Sequence, residues 1–579
     1  MSQISLFENI NIDNLSEEDT ALLSWIKLHI GKLDKIETEK LLSTKQYFIE
    51  NKTHELSKEA LNTIHTKNKQ KVLGIAYTPK DIRKKLTLEV LDYFKNSNIK
   101  NLKICDPCCG SGIFTLTLLD ELLIKKIDIK KALKNNIYFY DIDKLSVGLT
   151  LLNIYLFCKD KNIDILNQKL NTKVQNFFYS KEKYDAFITN PPYVKLQNLD
   201  KKDIDYFKNN YSEIFHGAPG LSIFFTYKLL QNLNENGILG VITQNNFFTS
   251  LAGKKYRKEI KNHLYRIETF GNNLKFEGVN AYTCLLYLTQ DINTEFYYLN
   301  NSENFKNTGY SKLNIDKLED AKWRLGSKKE LENIYKLENN GIPLGKACKI
   351  WVGIATQYDK AFICEMIDGD WFGVTPSNNL MPVDKKIVKN LIKISKFNNE
   401  STLHENNMGV IFPYRKKEGV FVPIKEASLK NDYKKTYAYL ETWKNELLGR
   451  QKGRIKKSEW YQWGRIQSME SISNKLLTKT FDSQPNFMED KTDSLFSNGY
   501  ALKPDENLYD FDFVKQIINS EIFYYYMKLT SFEIAGDFQC YQKNFIEKFC
   551  LPEVDIGLQK KILRESDINE YLSDYYGLR

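Results

Sequence analysis

Residues 102–122, LKICDPCCGSGIFTLTLLDEL, have the pattern of a short buried strand, a tight loop and a helix. Asp106 stands at the predicted carboxyl end of the strand, and Gly110 and Gly112 allow the backbone to turn sharply and approach a ligand closely. The helix that follows would point the free N–H groups of its first turn at the same place. A phosphate-binding loop is the rival interpretation, but the Gly-Lys-Ser/Thr ending of such loops is missing.

Short apolar runs and helical stretches alternate around this segment, from about residue 71 to about residue 325. The apolar runs are LKICD, NIYFYDID, YDAFITN, GILGVIT and CLLYLT. The spacing between them suits crossover helices, which place strands side by side in parallel. We therefore predict an α/β fold of Rossmann-like type, with a mainly parallel sheet covered by helices on both faces.

The second predicted strand also ends in an acid, Asp141. A carboxylate at this position is suited to accepting hydrogen bonds from the two hydroxyls of a ribose. We therefore expect a nucleoside-containing ligand to lie across the first two strands. The alternative is that Asp141 and Asp143 serve only as a helix cap and a turn residue.

A further predicted strand leads into FITNPPYVK at 187–195, which places Asn190 at the carboxyl edge of the sheet. Pro191 and Pro192 fix φ and favour extended geometry in the residues before them. In such a stiff arm the Asn190 amide oxygen and the Pro191 carbonyl can converge on one point, beside the aromatic face of Tyr193. The alternative is that the two prolines merely end a strand.

Two acceptors at one point suit an amino group with two protons, and an aromatic side chain beside them suits a planar ring. The exocyclic amine of a heterocycle is a poor nucleophile, because its lone pair is delocalised into the ring. Two hydrogen-bond acceptors would favour a pyramidal nitrogen and free the lone pair for attack. Such catalysis rests on positioning and electrostatic stabilisation, without a covalent enzyme intermediate.

The ordered set of motifs resembles the S-adenosylmethionine-dependent amino-methyltransferases, specifically the γ-class DNA adenine-N6 methyltransferases of type II modification systems. The matching motifs are GIAYTPKDI at 74–82, DPCCGSGIF, YDID, NFF at 176–178 and NPPY. The resemblance covers about residues 70 to 550. It implies methyl transfer to the N6 amine of an adenine that is flipped out of a short duplex recognition sequence. S-adenosyl-L-methionine would be the cofactor, and no metal is implied.

The resemblance also implies roles for individual residues, beginning with the cofactor. The expected cofactor contacts are Thr78 to the methionine carboxylate, Asp106 to its amino group, Asp141 to the ribose, Ile142 and Phe177 to the adenine ring, and Asn176 to the adenine amine, with Gly110 and Gly112 in the loop. Asn176 stands where most members have Asp, and an amide can still accept the bond.

The target base would be held by the NPPY segment, which comprises Asn190, Pro191, Pro192 and Tyr193. Asn190 and Pro191 would accept from the N6 amine, and Tyr193 would stack on the base. Phe276, in KFEGVNAYTCLLYL, is the candidate for a second stacking aromatic.

The segment KNELLGRQKGRIKKSEWYQWGR at 444–465 is the densest basic and aromatic feature of the C-terminal half. Basic side chains contact phosphates and set affinity, while a few others read base edges. The predicted DNA contacts are Arg450, Lys452, Arg454, Lys456, Lys457, Trp460, Trp463 and Arg465. The alternative is a solvated helix face.

We expect four segments along the chain. They are an N-terminal helical segment over 1–70, the methyltransferase catalytic domain over 71–330, a mixed α+β target-recognition domain over 340–555 and a helical tail over 556–579. The N-terminal segment opens with a helix-capping signature at Ser16, which is followed by acids.

Composition bears on the class of protein, its location and the presence of a metal site. The chain has 579 residues, nine scattered cysteines and a net charge of +10, which fits a multidomain protein of a reducing cytoplasm. No apolar run of eighteen residues and no hydrophobic N-terminal stretch is present, so neither a membrane span nor a signal peptide is expected. Six dispersed histidines and an isolated C-x-x-C give no zinc-site spacing. The expected location is the bacterial cytoplasm, on the nucleoid when DNA is bound.

Three alternatives compete with a DNA methyltransferase. Amino-methyltransferases with the same motif that act on RNA or on a protein glutamine are usually much shorter. A fusion with a nuclease would need more than the seventy or so residues that precede the motif at 74–82. A non-catalytic DNA-binding protein would be expected to have lost Asn190 or the glycine loop. The expected partners are double-stranded DNA and a separate restriction endonuclease that acts on the same site.

Overall fold

A computed structural model describes most of the chain, in two compact units. The described residues are 15–57, 60, 62, 64–65, 78–95, 99–270, 282–301, 309–450, 459–531, 533–534 and 538–578, with the backbone alone at 404. The units are Met1–Lys328 and Lys329–Arg579.

The first unit is built on a single nine-stranded sheet, as far as the described residues show. Its strands are β1 (Ile104–Asp106), β2 (Ile137–Asp141), β3 (Asn171–Val174), β4 (Tyr184–Thr189), β5 (Leu233–Gln244), β6 (Leu264–Thr269), β7 (Thr283–Thr289), β8 (Glu295–Asn300) and β9 (Ser311–Asn314). They lie in the order β3-β2-β1-β4-β5-β7-β6-β8-β9. Strands β1 to β5 pair in parallel, whereas β7 runs antiparallel to β5 and β6. The predicted Rossmann-like fold with a mainly parallel sheet is confirmed.

Helices cover this sheet. They are α1 (Glu17–Ile30), α2 (Lys35–Glu50), α3 (Lys80–Tyr93), α4 (Ile113–Ile124), α5 (Ile129–Asn135), α6 (Lys144–Asp160), α7 (Lys201–Asn210), α8 (Leu221–Gln231) and α9 (Lys254–Ile260). Helix α6 is apolar on every face, and all its residues from 145 to 158 are buried. Helices α1 and α2 pack against it and share its hydrophobic core, so the N-terminal helices belong to the same compact unit as the sheet. Ser16 caps α1 by accepting from the Asp19 backbone N–H, as the sequence predicts.

The second unit combines short, mostly antiparallel sheets with helices. Its strands are β10 (Ile342–Pro343), β11 (Cys348–Val352), β12 (Ile363–Ile367), β13 (Asp370–Val374), β14 (Leu380–Val383), β15 (Val388–Lys393), β16 (Met408–Ile411), β17 (Tyr414–Lys417), β18 (Val420–Pro423), β19 (Lys475–Lys479), β20 (Phe481–Asp482), β21 (Met488–Asp490), β22 (Leu495–Ser497), β23 (Gly499–Pro504), β24 (Glu533–Ile534), β25 (Phe538–Cys540) and β26 (Cys550–Leu551). The larger sheets have the orders β14-β13-β12-β16-β15-β22 and β11-β23-β19-β21. This mixture agrees with the α+β class predicted for the C-terminal half.

The helices of the second unit are mostly short. They are α10 (Lys328–Asn339), α11 (Leu344–Ala347), α12 (Asp359–Phe362), α13 (Glu426–Asp432), α14 (Lys434–Glu441), α15 (Lys444–Gly449), α16 (Phe511–Ile518), α17 (Glu521–Thr530), α18 (Lys543–Ile546), α19 (Ile556–Glu565) and α20 (Ile568–Tyr576). The last two pack on one core together with α16 and α17. Within the described ranges, no helix combines the length and the apolar character needed to cross a bilayer.

Candidate active site

A cavity of about 360 Å³ opens at the carboxyl edge of the first sheet, where β1, β2 and β4 lie side by side. Open parallel sheets bind ligands at this edge. The predicted site residues that line it are Thr78, Gly110, Asp141, Ile142, Asn176, Phe177, Asn190 and Pro192. Fold and cavity thus bring together side chains that stand far apart in the sequence.

The glycine loop takes a backbone conformation that favours glycine at two positions. Gly110 has φ of +55° and Gly112 has φ of +86°. A Cβ on Gly112 would lie 2.9 Å from the Thr150 side chain and 3.0 Å from the Thr150 Cα, because α6 packs directly against the loop. At Gly110 a Cβ would meet open space, and the Gly110 N–H donates to Asp141 Oδ2 at 3.0 Å. The loop is therefore tied to the end of the neighbouring strand.

Asp141 accepts a backbone N–H at each carboxylate oxygen, from Gly110 at Oδ2 and from Asp143 at Oδ1, the latter at 2.9 Å. Asp143 caps α6 through Ser146, so the simple helix-cap interpretation holds for Asp143. Asp141 differs because it also lines the cavity, beside the Ile142 side chain, which is 59% exposed. Burial raises the pKa of Asp141 to about 6. A hydrogen-bonding carboxylate next to an open apolar side chain suits a ribose and its attached base.

Asp106 lies deeper, at the end of β1. Its Oδ1 accepts from Thr189 Oγ1 at 2.9 Å, whereas its buried Oδ2 has no hydrogen-bond partner among the described residues. Burial raises the pKa of Asp106 to about 7, and the charge of Asp141 acts in the same direction. A buried polar atom without a partner points to a group that binds there. A protonated amino group has the donors and the charge to satisfy it.

Asn190, at the end of β4, is oriented by a threonine from a distant part of the chain. Its Nδ2 donates to Thr78 Oγ1 at 3.0 Å. Thr78 is buried, and its carbonyl accepts from Arg83 Nη1 at 3.0 Å. Arg83 also donates to Thr117 Oγ1 at 2.9 Å and pairs with the Glu55 carboxylate. Sequence patterns offered no sign of Arg83, because its two side-chain partners, Glu55 and Thr117, are 28 and 34 residues away in the chain.

The other residues of the NPPY segment are also held. The Tyr193 hydroxyl donates to the Ile242 carbonyl at 3.2 Å, and burial raises the pKa of this phenol well above its usual range. Cys108 Sγ lies 3.2 Å from the carbonyl oxygen of Asn190 and 2.9 Å from Thr189 Oγ1. The cysteine of the C-x-x-C pair thus takes part in fixing the backbone beside Asn190. None of the described residues forms a group of three or more ligands that could hold a metal ion.

Asn176 begins the short helical turn Phe177–Tyr179, and its Oδ1 accepts from the Phe178 N–H at 3.1 Å. Phe177 is buried and contacts Tyr140 and Phe225. The side-chain oxygen of Asn176 therefore already has a structural role. Its second lone pair can still accept a hydrogen bond from a ligand.

Helix α7 supplies cavity residues that sequence analysis missed. Asp203, Tyr206 and Phe207 line the cavity beside the 177–179 turn. The Tyr206 ring lies 5.5 Å from Tyr179, and the Phe207 ring 4.9 Å from Phe178. Their spacing of three and four residues puts them on one helix face, which is a signal present in the sequence.

The comparisons with known proteins concern the family and the fold. The family model described as Eco57I restriction-modification methylase matches residues 135–276, which include β2, β4 and NPPY. The resemblance to restriction-modification methylases is confirmed.

Several relatives match a larger part of the chain. The Type II restriction enzyme and methyltransferase RM.Eco57I of Escherichia coli is 23% identical over 87% of this chain and 59% of its own length. The Type II methyltransferase M.BstVI of Geobacillus stearothermophilus is 21% identical over 84% of this chain and 91% of its own length. The chain spans only about half of a third relative, M.VspI of a Vibrio species (51%).

Among solved structures, the Type IIL restriction-modification enzyme MmeI in complex with DNA is similar in fold. Its TM-score is 0.61 at 13% identity, over 87% of this chain and 72% of that chain. At this identity the likeness concerns the fold alone.

The DNA contacts predicted from the sequence need a correction in the second unit. Trp460 and Trp463 are core residues, at 0% and 1% exposure. Arg450 is also buried and donates to the carbonyl oxygens of Leu447, Thr356, Trp460 and Gln462. These three side chains hold the second unit together, so they are not exposed DNA contacts.

Of the other predicted DNA contacts, Arg465 lies among the described residues and four basic residues do not. Arg465 is exposed. The predicted contacts Lys452, Arg454, Lys456 and Lys457 and the predicted stacking residue Phe276 lie outside the described residues. Their roles stay predictions.

Proposed function

We propose that this chain transfers a methyl group from S-adenosylmethionine to the N6 amine of an adenine that is flipped out of duplex DNA. The observation that carries the proposal is the continuity of one cavity, which runs from Asp141 and Ile142 past Gly110 to Asn190 and Pro192. The residues proposed for the nucleoside part of the cofactor and the proposed acceptor residue Asn190 therefore line one cavity.

Residues at the ends of β1 and β2 would hold the cofactor. Asp106 Oδ2 would accept from its amino group, Asp141 from the ribose hydroxyls, and Ile142 and Phe177 would pack against its adenine. The cofactor supplies an electrophilic methyl group when bound. The partnerless oxygen of Asp106 supports this assignment, because a buried carboxylate is costly without a donor or a cation.

The target amine would be held by Asn190 and Pro191. Since Asn190 Nδ2 is engaged with Thr78, the amide is oriented with Oδ1 on the opposite side, as an acceptor for the target. The Pro191 carbonyl is the second acceptor, on a backbone stiffened by two prolines. Tyr193, held by Ile242, would stack on the base. Hydrogen bonding and alignment suffice for the transfer, so the proposal includes no metal.

Duplex DNA is the proposed substrate, because the relatives that match most of this chain are restriction-modification methyltransferases by name. We propose that the protein acts as the modification part of such a system, with a separate endonuclease as partner, or alone. A base stacked inside a duplex cannot reach into this cavity, so the proposal requires that the target is flipped out of the helix.

The proposal is tested by incubating the protein with methyl-labelled S-adenosylmethionine and duplex DNA of mixed sequence, followed by nucleoside analysis. The expected product is N6-methyladenine. RNA and a release factor are included as substrates, because a release factor glutamine methyltransferase of Clostridium botulinum is 29% identical over 26% of this chain. Label in RNA or in protein, with none in DNA, would refute the proposal, and N4-methylcytosine would refute its adenine specificity.

Asn190→Ala is the matched catalytic variant, and it should abolish transfer while S-adenosylmethionine still binds. Asn339→Ala, an exposed asparagine at the end of α10, is the control and should retain full activity. Equal loss of cofactor binding and transfer in Asn190→Ala would contradict the role assigned to Asn190.

A further inference from the structure

Strands β17 and β18 form a two-stranded hairpin in the second unit. They pair antiparallel from Tyr414↔Pro423 to Lys417↔Val420, and no other described strand pairs with either of them. The two residues of the turn, Glu418 and Gly419, have φ of +50° and +82°. Positive φ at both positions is the geometry that matches the twist of a two-residue hairpin. The hairpin is therefore a twisted ribbon with a tight, well-defined tip.

Aromatic packing holds one face of this ribbon against the core of the unit. Tyr414 is buried, and its ring lies 5.4 Å from those of Phe412 and Trp463. Phe421, on the paired strand, lies 5.5 Å from Phe412. Side chains alternate between the two faces of a strand, so Tyr414, Lys416 and Phe421 mark the inner face.

The opposite face is directed away from this aromatic core. It carries Arg415 and Lys417 from β17 and their cross-strand partners Val422 and Val420. Arg415 and Lys417 are exposed, and Val420 is 63% exposed. Neither cation forms an ion pair with any of the described residues, whereas Lys416 on the other face pairs with Glu470 at 3.3 Å.

This face has the chemistry of a DNA-contacting surface. The major groove of B-form DNA admits a two-stranded ribbon. Arginine and lysine bind phosphates, arginine also binds guanine edges in a bidentate manner, and aliphatic side chains contact the thymine methyl group. Two cations beside two valines on a rigid ribbon combine these functions. We propose that the outer face of the 414–423 hairpin enters a groove of the DNA substrate and contributes to sequence recognition.

The proposal rests on the proposed function, because it assumes duplex DNA as the substrate. It differs from the contacts predicted from the sequence, which were assigned to residues 450–465. In that segment Arg450, Trp460 and Trp463 are buried. No residue of the hairpin is among the DNA contacts predicted from the sequence.

The experiment compares the double variant Arg415→Gln/Lys417→Gln with Lys416→Gln as a matched control of equal chemistry on the opposite face. Binding to duplex DNA is measured by fluorescence anisotropy over a series of salt concentrations. Removal of one phosphate-binding cation should lower the slope of log K against log[salt] by about 0.9. The expected result is a slope smaller by roughly 1 to 2 for the double variant and an unchanged slope for Lys416→Gln.

Sequence preference is measured on the same proteins, by mapping the methylated positions in a genomic DNA sample. Relaxed preference is expected for the double variant and for Val420→Ser, while Lys416→Gln should methylate the same sites as the unchanged protein. Thermal unfolding and S-adenosylmethionine binding, both expected to be unchanged, show that the first unit and the fold are intact.

The outcomes separate the two proposals. If the unchanged protein methylates DNA and the double variant matches Lys416→Gln in both salt slope and site preference, the hairpin assignment is overturned while the proposed function stands. If the unchanged protein neither binds nor methylates duplex DNA, the proposed function itself fails.

Discussion

Asn190 Nδ2 and Thr78 Oγ1 are joined by a hydrogen bond of 3.0 Å, although the two residues are 112 positions apart in the chain. The bond links the segment predicted to hold the methionine end of the cofactor with the segment predicted to hold the target amine. It also orients the Asn190 amide, because the NH₂ group is directed at Thr78. We therefore propose that cofactor binding and target positioning depend on this shared contact.

Removing this contact should impair transfer. Thr78→Val keeps the shape of the side chain but removes the acceptor for Asn190 Nδ2. A neutral hydrogen bond contributes about 1 kcal/mol, so we expect kcat to fall roughly fivefold or more. Thr78→Ser retains the hydroxyl and should keep most of the activity. A Thr78→Val enzyme with unchanged kcat would show that the bond does not orient Asn190 during turnover.

Arg83 should be important for stability as well as for the position of Thr78. Arg83→Met removes its bonds to Thr78 and Thr117 and leaves the Glu55 carboxylate without its cation. Glu55 is 32% exposed, so we place the loss of unfolding free energy at the lower end of the range for broken buried pairs, about 3 kcal/mol.

The neighbouring residue Lys84 provides the control for Arg83. Its side chain is 51% exposed and pairs with Glu121 at 3.4 Å, so Lys84→Met should cost less than about 1 kcal/mol. Urea unfolding of both variants measures the difference. Equal destabilisation by the two substitutions would contradict the stabilising role assigned to Arg83.

Cofactor affinity should depend on pH through Asp106. Burial raises the pKa of this carboxyl to about 7 in the ligand-free protein, so below that pH it is largely protonated. An ammonium group favours the ionised form, and binding must then release a proton. We expect the affinity for S-adenosylmethionine to rise about tenfold per pH unit up to about pH 7 and to level off above it.

The stability of the ligand-free protein should change in the opposite direction. The unfolded Asp106 ionises near its ordinary pKa of 3.8, whereas the folded one stays protonated up to about pH 7. Between these values the native state binds more protons, so the free energy of unfolding falls as the pH rises. Calorimetry and urea unfolding from pH 5 to 8 check both trends. In Asp106→Asn the contribution of this carboxyl to the pH dependence of cofactor affinity and of the free energy of unfolding should vanish. An unchanged pH dependence would assign it to other groups.

The two loop glycines should respond differently to alanine. At Gly112 the positive φ is combined with a contact to Thr150 that a Cβ would make at 2.9 Å, so Gly112→Ala should cost about 2 to 4 kcal/mol. At Gly110 the surrounding space is open, and only the conformational cost of about 1 kcal/mol is expected. Thermal and urea unfolding distinguish the two. A larger loss at Gly110 would contradict the packing of α6 against the loop.

Arg450 should behave as a structural residue. Arg450→Met leaves four backbone carbonyls without their donor in the core of the second unit, and burial already lowers the pKa of its guanidinium to about 10. We expect a loss of about 2 to 4 kcal/mol in unfolding free energy. Arg465→Met, at an exposed position, should leave stability within about 0.5 kcal/mol. Unchanged stability of Arg450→Met with weakened DNA binding would restore the contact role first predicted for it.

The local pattern of the sequence was sufficient for the strands that carry the site. The five predicted strands all form, because each is a buried apolar run. Three of them end at the sheet edge that carries Asp106, Asp141 and Asn190. Strand β3, Asn171–Val174, was not predicted, since its four residues are exposed or only partly buried and carry no apolar pattern. Ile142 and Phe177 line the cavity, and their contacts to the cofactor stay predictions.

Local sequence patterns thus indicated the class of fold, the order of the motifs and the chemistry that each motif offers, because these depend on short stretches of chain. The packing of distant segments determined which side chains meet and which are buried. It joined Thr78 to Asn190 and placed Arg83 behind them, and it directed Arg415 and Lys417 outward. It also put the tryptophans of a basic, aromatic segment into a core. Burial and long-range contacts depend on how distant segments pack, which no single stretch encodes.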